Sequence, residues 1–472
     1  MTQIILGQSY FLRFDPKLWE AMQPYPPLGT LYAASYLRQH GYEVALFDAM
    51  LAESEAEWGI LLDEHKPEYA LIYEDNFNYL SKMCLLRMRE AAFKMIEMAK
   101  LRGCVVILCG ADATDHYSAY LENGADYCLL GEGEETLIEL LNQLSAKKEA
   151  GQVIGLASHN TLRPSRRPDI TDLDKLPFPA WDLVDVEKYR AIWLDRHGYF
   201  SMNMVTTRGC PYHCNWCAKP IWGQRYNSRS PENVAAEMKW LQENFAPDHI
   251  WFADDILGLK PNWIEKFAVL LHETNAVIPF KCLQRADLVN EKTARALAKA
   301  GCKTVWLGAE SGSQKILDAM DKGDKVEDIV RAARLLRVNG IEVGFFLQFG
   351  YPGETWDDVQ MTLKMVRECA PDDIGISVSY PLPGTKFFER VKLELGEKQN
   401  WIDSGDLAML YHGQFPTEFY RILHGRVHYE FRAWKALRQP SLRGLINIPR
   451  NLFGLARSQM QLRRYRDALV VE

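Results

Sequence analysis

Two hydrophobic rhythms alternate along roughly the first 145 residues. Short apolar runs, QIILG, YEVALFDA, YALIY, CVVILCG and ADYCLLG, each close on polar or glycine-rich residues, whereas LGTLYAASYLRQHG and LRMREAAFKMIEMAKLRG carry apolar residues at three-to-four spacing. The first rhythm predicts buried strands and the second predicts amphipathic helices. Strand and helix in turn imply a parallel, doubly wound sheet of Rossmann-like type, whose ligands sit off the carboxyl ends of its strands. The loops at PYPPLGT, GADATDH and GEGEE are then the candidate binding loops.

From about Met202 a second series begins: SMNMVTT, HIWFADD, FKCLQR, KTVWLGAE, EVGFFLQF and DIGISVSYPL, with helical stretches such as PENVAAEMKWLQEN, EKTARALAKAG and EDIVRAARLLRVNG between them. Six strand–helix units closing around a centre make a partial (β/α)6 barrel of TIM type, with active residues at the C-terminal ends of its strands. A proline-rich, charged connection from RPSRRPDI through LPFPAWDL lacks helical periodicity and reads as a linker. Beyond about residue 390 the strand signals fade into helical, aromatic, basic sequence. The expected division is an N-terminal sheet domain over 1–147, a linker over 148–195, the barrel over 196–390 and a helical region over 391–472.

Composition narrows the class. Hydrophobic residues make up 47% and charged residues 25% of the 472, inside the ordinary globular range. The opening MTQIILGQSYFLRFDP has only a short apolar run before Arg13 and Asp15, so it reads as a first strand rather than a signal peptide, and the expected compartment is cytoplasmic. Seven of the ten cysteines are scattered, which fits a reducing compartment with one dedicated thiolate site better than a disulfide framework. From Thr417 onward eleven Lys or Arg stand against four Asp or Glu, a surplus of +7 in a chain whose net charge is −7.

The dedicated site is RGCPYHCNWCAKPIWG, with Cys210, Cys214 and Cys217 at C-x3-C-x2-C spacing directly after the first strand of the second series. Three thiolates in a short loop cannot complete a tetrahedral zinc shell, and no His or Cys at finger or ribbon spacing supplies the rest. Three cysteines can instead hold three irons of a 4Fe–4S cubane and leave the fourth open to a substrate.

This spacing, with aromatic Trp216 before the last cysteine and six strand–helix units around it, resembles the radical S-adenosylmethionine (SAM) enzymes. The resemblance implies that the open iron chelates the methionine part of SAM. It also implies an electron donor of flavodoxin or ferredoxin type and a 5'-deoxyadenosyl radical that abstracts hydrogen from a substrate. Candidate SAM contacts carried over by position are Trp216, Asp254 and Asp255 in WFADDIL, Arg285 in LQRADLV, Glu310 and Ser311 in GAESGSQKILDAMDKG, and Gln348 in LQFGYPGET. The bland readings are helix caps for the aspartates and Ser311 and a surface ion pair for Arg285. No catalytic residue is assigned beyond these.

The N-terminal series resembles the cobalamin-binding domain that precedes the barrel in one large radical SAM class, whose members include methyltransferases and the anaerobic ring-forming cyclase of chlorophyll synthesis. Candidate cobalamin contacts are Gly29, Thr30, Gly110, Ala111, Gly131, Glu132 and Gly133, where glycine turns would give backbone close access to a large flat ligand. The family's Asp-x-His-x-x-Gly signature is absent, since QSYFLRFDPKLWEAMQPYPP contains no histidine. Cobalt with no histidine on its lower face is the expectation.

The leading reading is a cobalamin-dependent radical SAM methyltransferase acting on an unactivated carbon. The alternatives are a non-methylating cyclase, oxidase or rrearrangement enzyme, or a non-catalytic cobalamin or iron–sulfur sensor. Segments FYRILHGRVHYEFRAWKALRQ and LINIPRNLFGLARSQMQLRRYR mix aliphatic and aromatic residues with arginine, a pattern of a solvated packing helix or of one that rests on a membrane surface. The expected substrate is a small or lipid-like molecule, and nucleic acid is not expected.

Overall fold

The computed structural model describes residues 3–161, 164–217 and 222–469. The first sheet holds β1 (Ile4–Gly7), β2 (Val44–Phe47), β3 (Tyr69–Tyr73), β4 (Val105–Cys109), β5 (Tyr127–Leu129) and β6 (Leu156–Ala157), in the order β2-β1-β3-β4-β5-β6. All neighbours pair in parallel except β5 and β6, an antiparallel edge the sequence pattern does not announce. Alternate residues feed two cores: Ile5, Ile72, Val106 and Leu108 face one side, and Ile4, Leu6, Leu71 and Ile107 the other. Burial on both faces explains why these strands read as continuous apolar runs. The chain order reverses between β1 and β3, so the crevice for a ligand lies off their carboxyl ends.

The second series forms β7 (Ser201–Met204), then a two-residue ribbon of β8 (Thr207–Arg208) and β9 (Asn227–Ser228), then β10 (His249–Phe252), β11 (Phe280–Gln284), β12 (Cys302–Glu310), β13 (Glu342–Phe349) and β14 (Asp373–Val378). The sheet order β7-β10-β11-β12-β13-β14 follows the chain, the topology of a partial (β/α)6 barrel. The helices Pro231–Phe245, Trp263–Glu273, Glu291–Ala300, Val326–Val338 and Trp356–Cys369 alternate with these strands.

By compactness the chain divides into two units. One comprises the described residues of 1–212, 218–282 and 400–406, and the other those of 213–217, 283–399 and 407–472. The expected linker, 148–195, ends within a twelve-residue helix, Val186–His197, which buries Val186, Tyr189 and Trp193. The tail is helical, as expected, with Thr417–Arg438, Leu442–Ile446 and Ile448–Leu469. Positions 162–163, 218–221 and 470–472, which include part of the quoted cysteine loop, the start of the linker motif and the end of the tail, lie outside the described residues. Among the described residues no helix is long and apolar enough to cross a membrane.

Candidate functional site

The loop that carries the cysteines leaves the second sheet through Thr206, Thr207 and Arg208, and three sets of contacts fix that exit. Asp254, wholly buried after β10, accepts four hydrogen bonds: from the Thr206 and Thr207 amides at 2.7 Å each, from Thr207 Oγ1 at 2.8 Å and from Thr206 Oγ1 at 3.0 Å. Burial pushes its carboxyl up to about 6 against those donors. Arg208 bridges back to the first sheet, with Nη1 3.1 Å from Glu132 Oε1 and Nη2 2.6 Å from Glu134 Oε1, all three side chains buried. Burial raises Glu132 to about 7, opposed by Arg208. Gly209 then turns with φ +81°, and a Cβ there would overlap the Arg225 carbonyl oxygen. Only glycine fits that turn.

None of the ten cysteines is in a disulfide; Cys210 is buried and Cys214 and Cys217 are half-buried. Among the described residues no group of three or more His, Cys, Asp or Glu side chains gathers to hold a single metal ion. Arg285 Nη1 lies 3.7 Å from Cys214 Sγ, while its fork also binds Asp324, Asp287 and the Lys322 carbonyl. Lys322 is buried, pairs with Glu310 at 3.2 Å and feels the field of Cys214. Trp216 packs against the buried cluster that includes Ile316, Met320, Tyr351 and Phe387 and keeps a buried Nε1 without a hydrogen-bond partner.

Glu310 ends β12 at a register shift and holds φ +55°, a left-handed conformation uncommon for a side-chain-bearing residue. Ser311 is fully buried, shares a 3.1 Å hydrogen bond with Thr362 Oγ1 and accepts one from the Ser313 amide, so its hydroxyl is engaged within the chain. Gln348 donates to Ser379 Oγ at 3.0 Å and leaves its buried Oε1 unpartnered. Asp255 pairs with the buried Lys82 at 3.0 Å, and Lys82 lies over the Trp222 ring, which stacks on Phe77. Neither Asp254 nor Asp255 caps the next helix, which starts at Trp263 after Asn262.

At the carboxyl ends of the first sheet the glycines let loops pack on one another. A Cβ at Gly29 would press on the Glu74–Asn76 backbone, one at Gly110 on Glu74, one at Gly131 on Arg166 and one at Gly133 on Cys109 and Tyr73. The Gly29 amide donates to Asp75, the Ala111 amide to Asn76, the Gly131 amide to Thr114 and the Thr30 hydroxyl to the Tyr73 carbonyl. Sequence reasoning missed the residues at the chain reversal itself. Ser9, after β1, donates to Glu74, after β3, through both its amide and its hydroxyl, and burial lifts Glu74 to about 7. Gln8 Nε2 and Ser81 Oγ are buried there without hydrogen-bond partners. A buried unpaired donor is costly, so both suit a ligand rich in carbonyl groups. Polar residues immediately after an apolar run, as in ILGQS and LIYED, were the available signal.

Comparison with known proteins shows what this chain is similar to. The model of the Radical SAM superfamily matches residues 204–366. An uncharacterised methyltransferase of Pyrococcus horikoshii is 30% identical over 269 residues, 56% of this chain and 57% of that protein. The chain thus spans a little over half the length of that relative. The anaerobic magnesium-protoporphyrin IX monomethyl ester cyclase of Rubrivivax gelatinosus is 25% identical over 390 residues, 80% of this chain and 68% of the cyclase. Among solved structures, the radical SAM methyltransferase TsrM of Kitasatospora setae, with cobalamin and a [4Fe–4S] cluster bound, superposes with TM-score 0.67 at 20% identity over 83% of this chain and 74% of that one, a likeness of fold.

Proposed function

We infer, from the radical SAM domain that residues 204–366 carry, that the protein is an iron–sulfur enzyme of that superfamily and that it uses cobalamin to methylate an unactivated carbon. The observation that carries the reading is the cysteine loop, built at the carboxyl end of a barrel strand with Arg285 Nη1 3.7 Å from Cys214 Sγ. Cys210, Cys214 and Cys217 would hold three irons of the cluster. When bound, cluster and SAM together supply a 5'-deoxyadenosyl radical, and cobalamin supplies the methyl group.

The chain's own residues do the positioning. Asp254 clamps Thr206 and Thr207, so the loop leaves the strand on a fixed path. Arg208 ties that path to Glu132 and Glu134. Arg285 holds positive charge 3.7 Å from Cys214 Sγ, where it would offset the negative charge of a reduced cluster. Gln348 offers a free amide oxygen to SAM, and the strained Glu310, held by Lys322, presents its backbone at the same strand ends. Gln8 and Ser81 offer buried donors to cobalamin, whose corrin ring is fringed with amides. Residues 8–27, directly after β1, contain no histidine, in keeping with cobalt without a histidine ligand.

A small-molecule or lipid-like substrate and an external flavodoxin- or ferredoxin-type donor complete the reading, with a cytoplasmic setting. The second reading, radical chemistry without methyl transfer, is favoured by the cyclase, which matches more of this chain than the methyltransferase does. Anaerobic turnover with methyl-labelled SAM separates the two. Label appearing in product beside 5'-deoxyadenosine supports methyl transfer, and 5'-deoxyadenosine with unlabelled product supports the second reading.

A further inference from the structure

The C-terminal helices form an antiparallel hairpin whose two ends differ in character. At its base Phe419, Tyr420, Leu423 and Leu462 are buried, and the Phe419 and Tyr465 rings meet edge-on at 5.8 Å. Farther along, Gly454 sits against the Tyr429 ring where a Cβ would not fit, which brings the helices Thr417–Arg438 and Ile448–Leu469 close together.

The turn end is the opposite. Trp434 is 44% exposed, Leu437 70%, Leu445 46%, Ile446 68%, Leu452 52% and Phe453 70%. They come from the last turns of one helix, the short connecting helix Leu442–Ile446 and the first turns of the next. Singly exposed apolar residues are ordinary, but six large ones within twenty residues are a surface in search of cover.

Charge identifies the cover. Between residues 431 and 466 there are nine Lys or Arg and no Asp or Glu. Lys435, Arg438, Arg450 and Arg457 are exposed around the apolar tip; Lys435 Nζ rests on the Asp372 carbonyl at 2.7 Å, and Arg438 lies 4.9 Å from the Trp434 ring centre. A second copy of this hairpin would set like charge against like charge. An anionic lipid surface satisfies both halves of the pattern, because apolar side chains enter the acyl boundary while cations meet phosphate, and tryptophan favours that boundary.

We propose that the hairpin tip, residues 434–453, is a docking element for anionic phospholipid bilayers. The tip inserts Trp434, Leu437, Ile446 and Phe453 shallowly and holds the phosphates through Lys435, Arg438 and Arg450. The element is independent of the cysteine loop, so docking and radical chemistry are separately testable.

The test is flotation of the full-length protein with vesicles of phosphatidylcholine alone or mixed with phosphatidylglycerol, at low and high salt. The expected result is binding to the anionic vesicles at low salt, and little binding to neutral vesicles or at high salt. Neutralising three cations together, Lys435→Gln, Arg438→Gln and Arg450→Gln, should weaken binding about a hundredfold, at roughly fivefold per cation. Ile446→Ser with Phe453→Ser should also release the protein, and circular dichroism should show both variants folded. Wild-type protein that stays in solution with anionic vesicles overturns the proposal, as does equal binding by the folded variants. Self-association by sedimentation that the same substitutions abolish, without vesicle binding, overturns it in favour of a second copy.

Discussion

Asp254 separates two accounts of the segment after β10. If its carboxylate met the SAM ammonium, Asp254→Asn would weaken SAM binding and leave the metal site alone. The geometry assigns it a different duty, since both carboxylate oxygens are occupied by Thr206 and Thr207. Asp254→Ala orphans two buried amides, a cost of about 2–6 kcal/mol. Against it, the rise of the carboxyl from 3.8 to about 6, net of those hydrogen bonds, corresponds to a penalty of about 3 kcal/mol on the buried anion near neutral pH, which leaves with it. The two terms nearly cancel in overall stability. The damage is therefore local, on the path to Cys210, and the expected outcome is a small change in melting temperature with a large loss of iron and sulfide after anaerobic reconstitution. Asp254→Asn keeps an acceptor for both amides without the charge, so it should retain iron and be at least as stable as wild type near neutral pH. Equilibrium dialysis with SAM completes the assay. Full iron in the alanine variant combined with weakened SAM binding in the asparagine variant would refute the reasoning.

Three further substitutions probe the remaining supports. Gly209→Ala forces a Cβ onto the Arg225 carbonyl at φ +81°, so iron incorporation should fall sharply even though the change is one methyl group; normal iron content contradicts the turn assignment. Arg285→Gln removes a positive charge 3.7 Å from Cys214 Sγ, and because reduction adds negative charge, the cluster midpoint measured by spectroelectrochemistry should move to more negative potential; an unchanged midpoint sets the contact aside. Glu74 titrates near 7 in the fold against 4.5 ordinarily, chiefly through burial, so the folded state holds its proton more tightly than the unfolded chain. Wild-type stability should fall relative to Glu74→Gln as pH rises from about 4.5 to 7, by about 3 kcal/mol at most. Parallel denaturant midpoints for the two proteins across that window would count against a buried Glu74.

The strands were legible because parallel strands buried on both faces leave unbroken apolar runs, as YALIY and CVVILCG do. The helix Val186–His197 was not, although Val186, Tyr189 and Trp193 follow helical spacing, because the prolines just upstream dominate the reading of that stretch. The segment 400–406 carries no local signal at all. Its place in the first compact unit depends on long-range contacts, Asn400 with Arg89 and the Cys84 carbonyl and Ser404 with Asp15. The cysteines were legible because their spacing is itself the chemistry. The partners of Asp254 and Arg208 were not, since Thr206 and Glu132 are 48 and 76 positions away in the chain. A motif shows which atoms can bind, and only the fold shows which are already taken.

The central claim is that Cys210, Cys214 and Cys217 hold a cluster that cleaves SAM. The most direct measurement is 5'-deoxyadenosine formed by anaerobically reconstituted, reduced protein given SAM, compared with the Cys214→Ala variant treated identically. The account predicts 5'-deoxyadenosine from the wild-type chain and essentially none from the variant. Equal amounts from both, or none from a wild-type chain with full iron content, would contradict it.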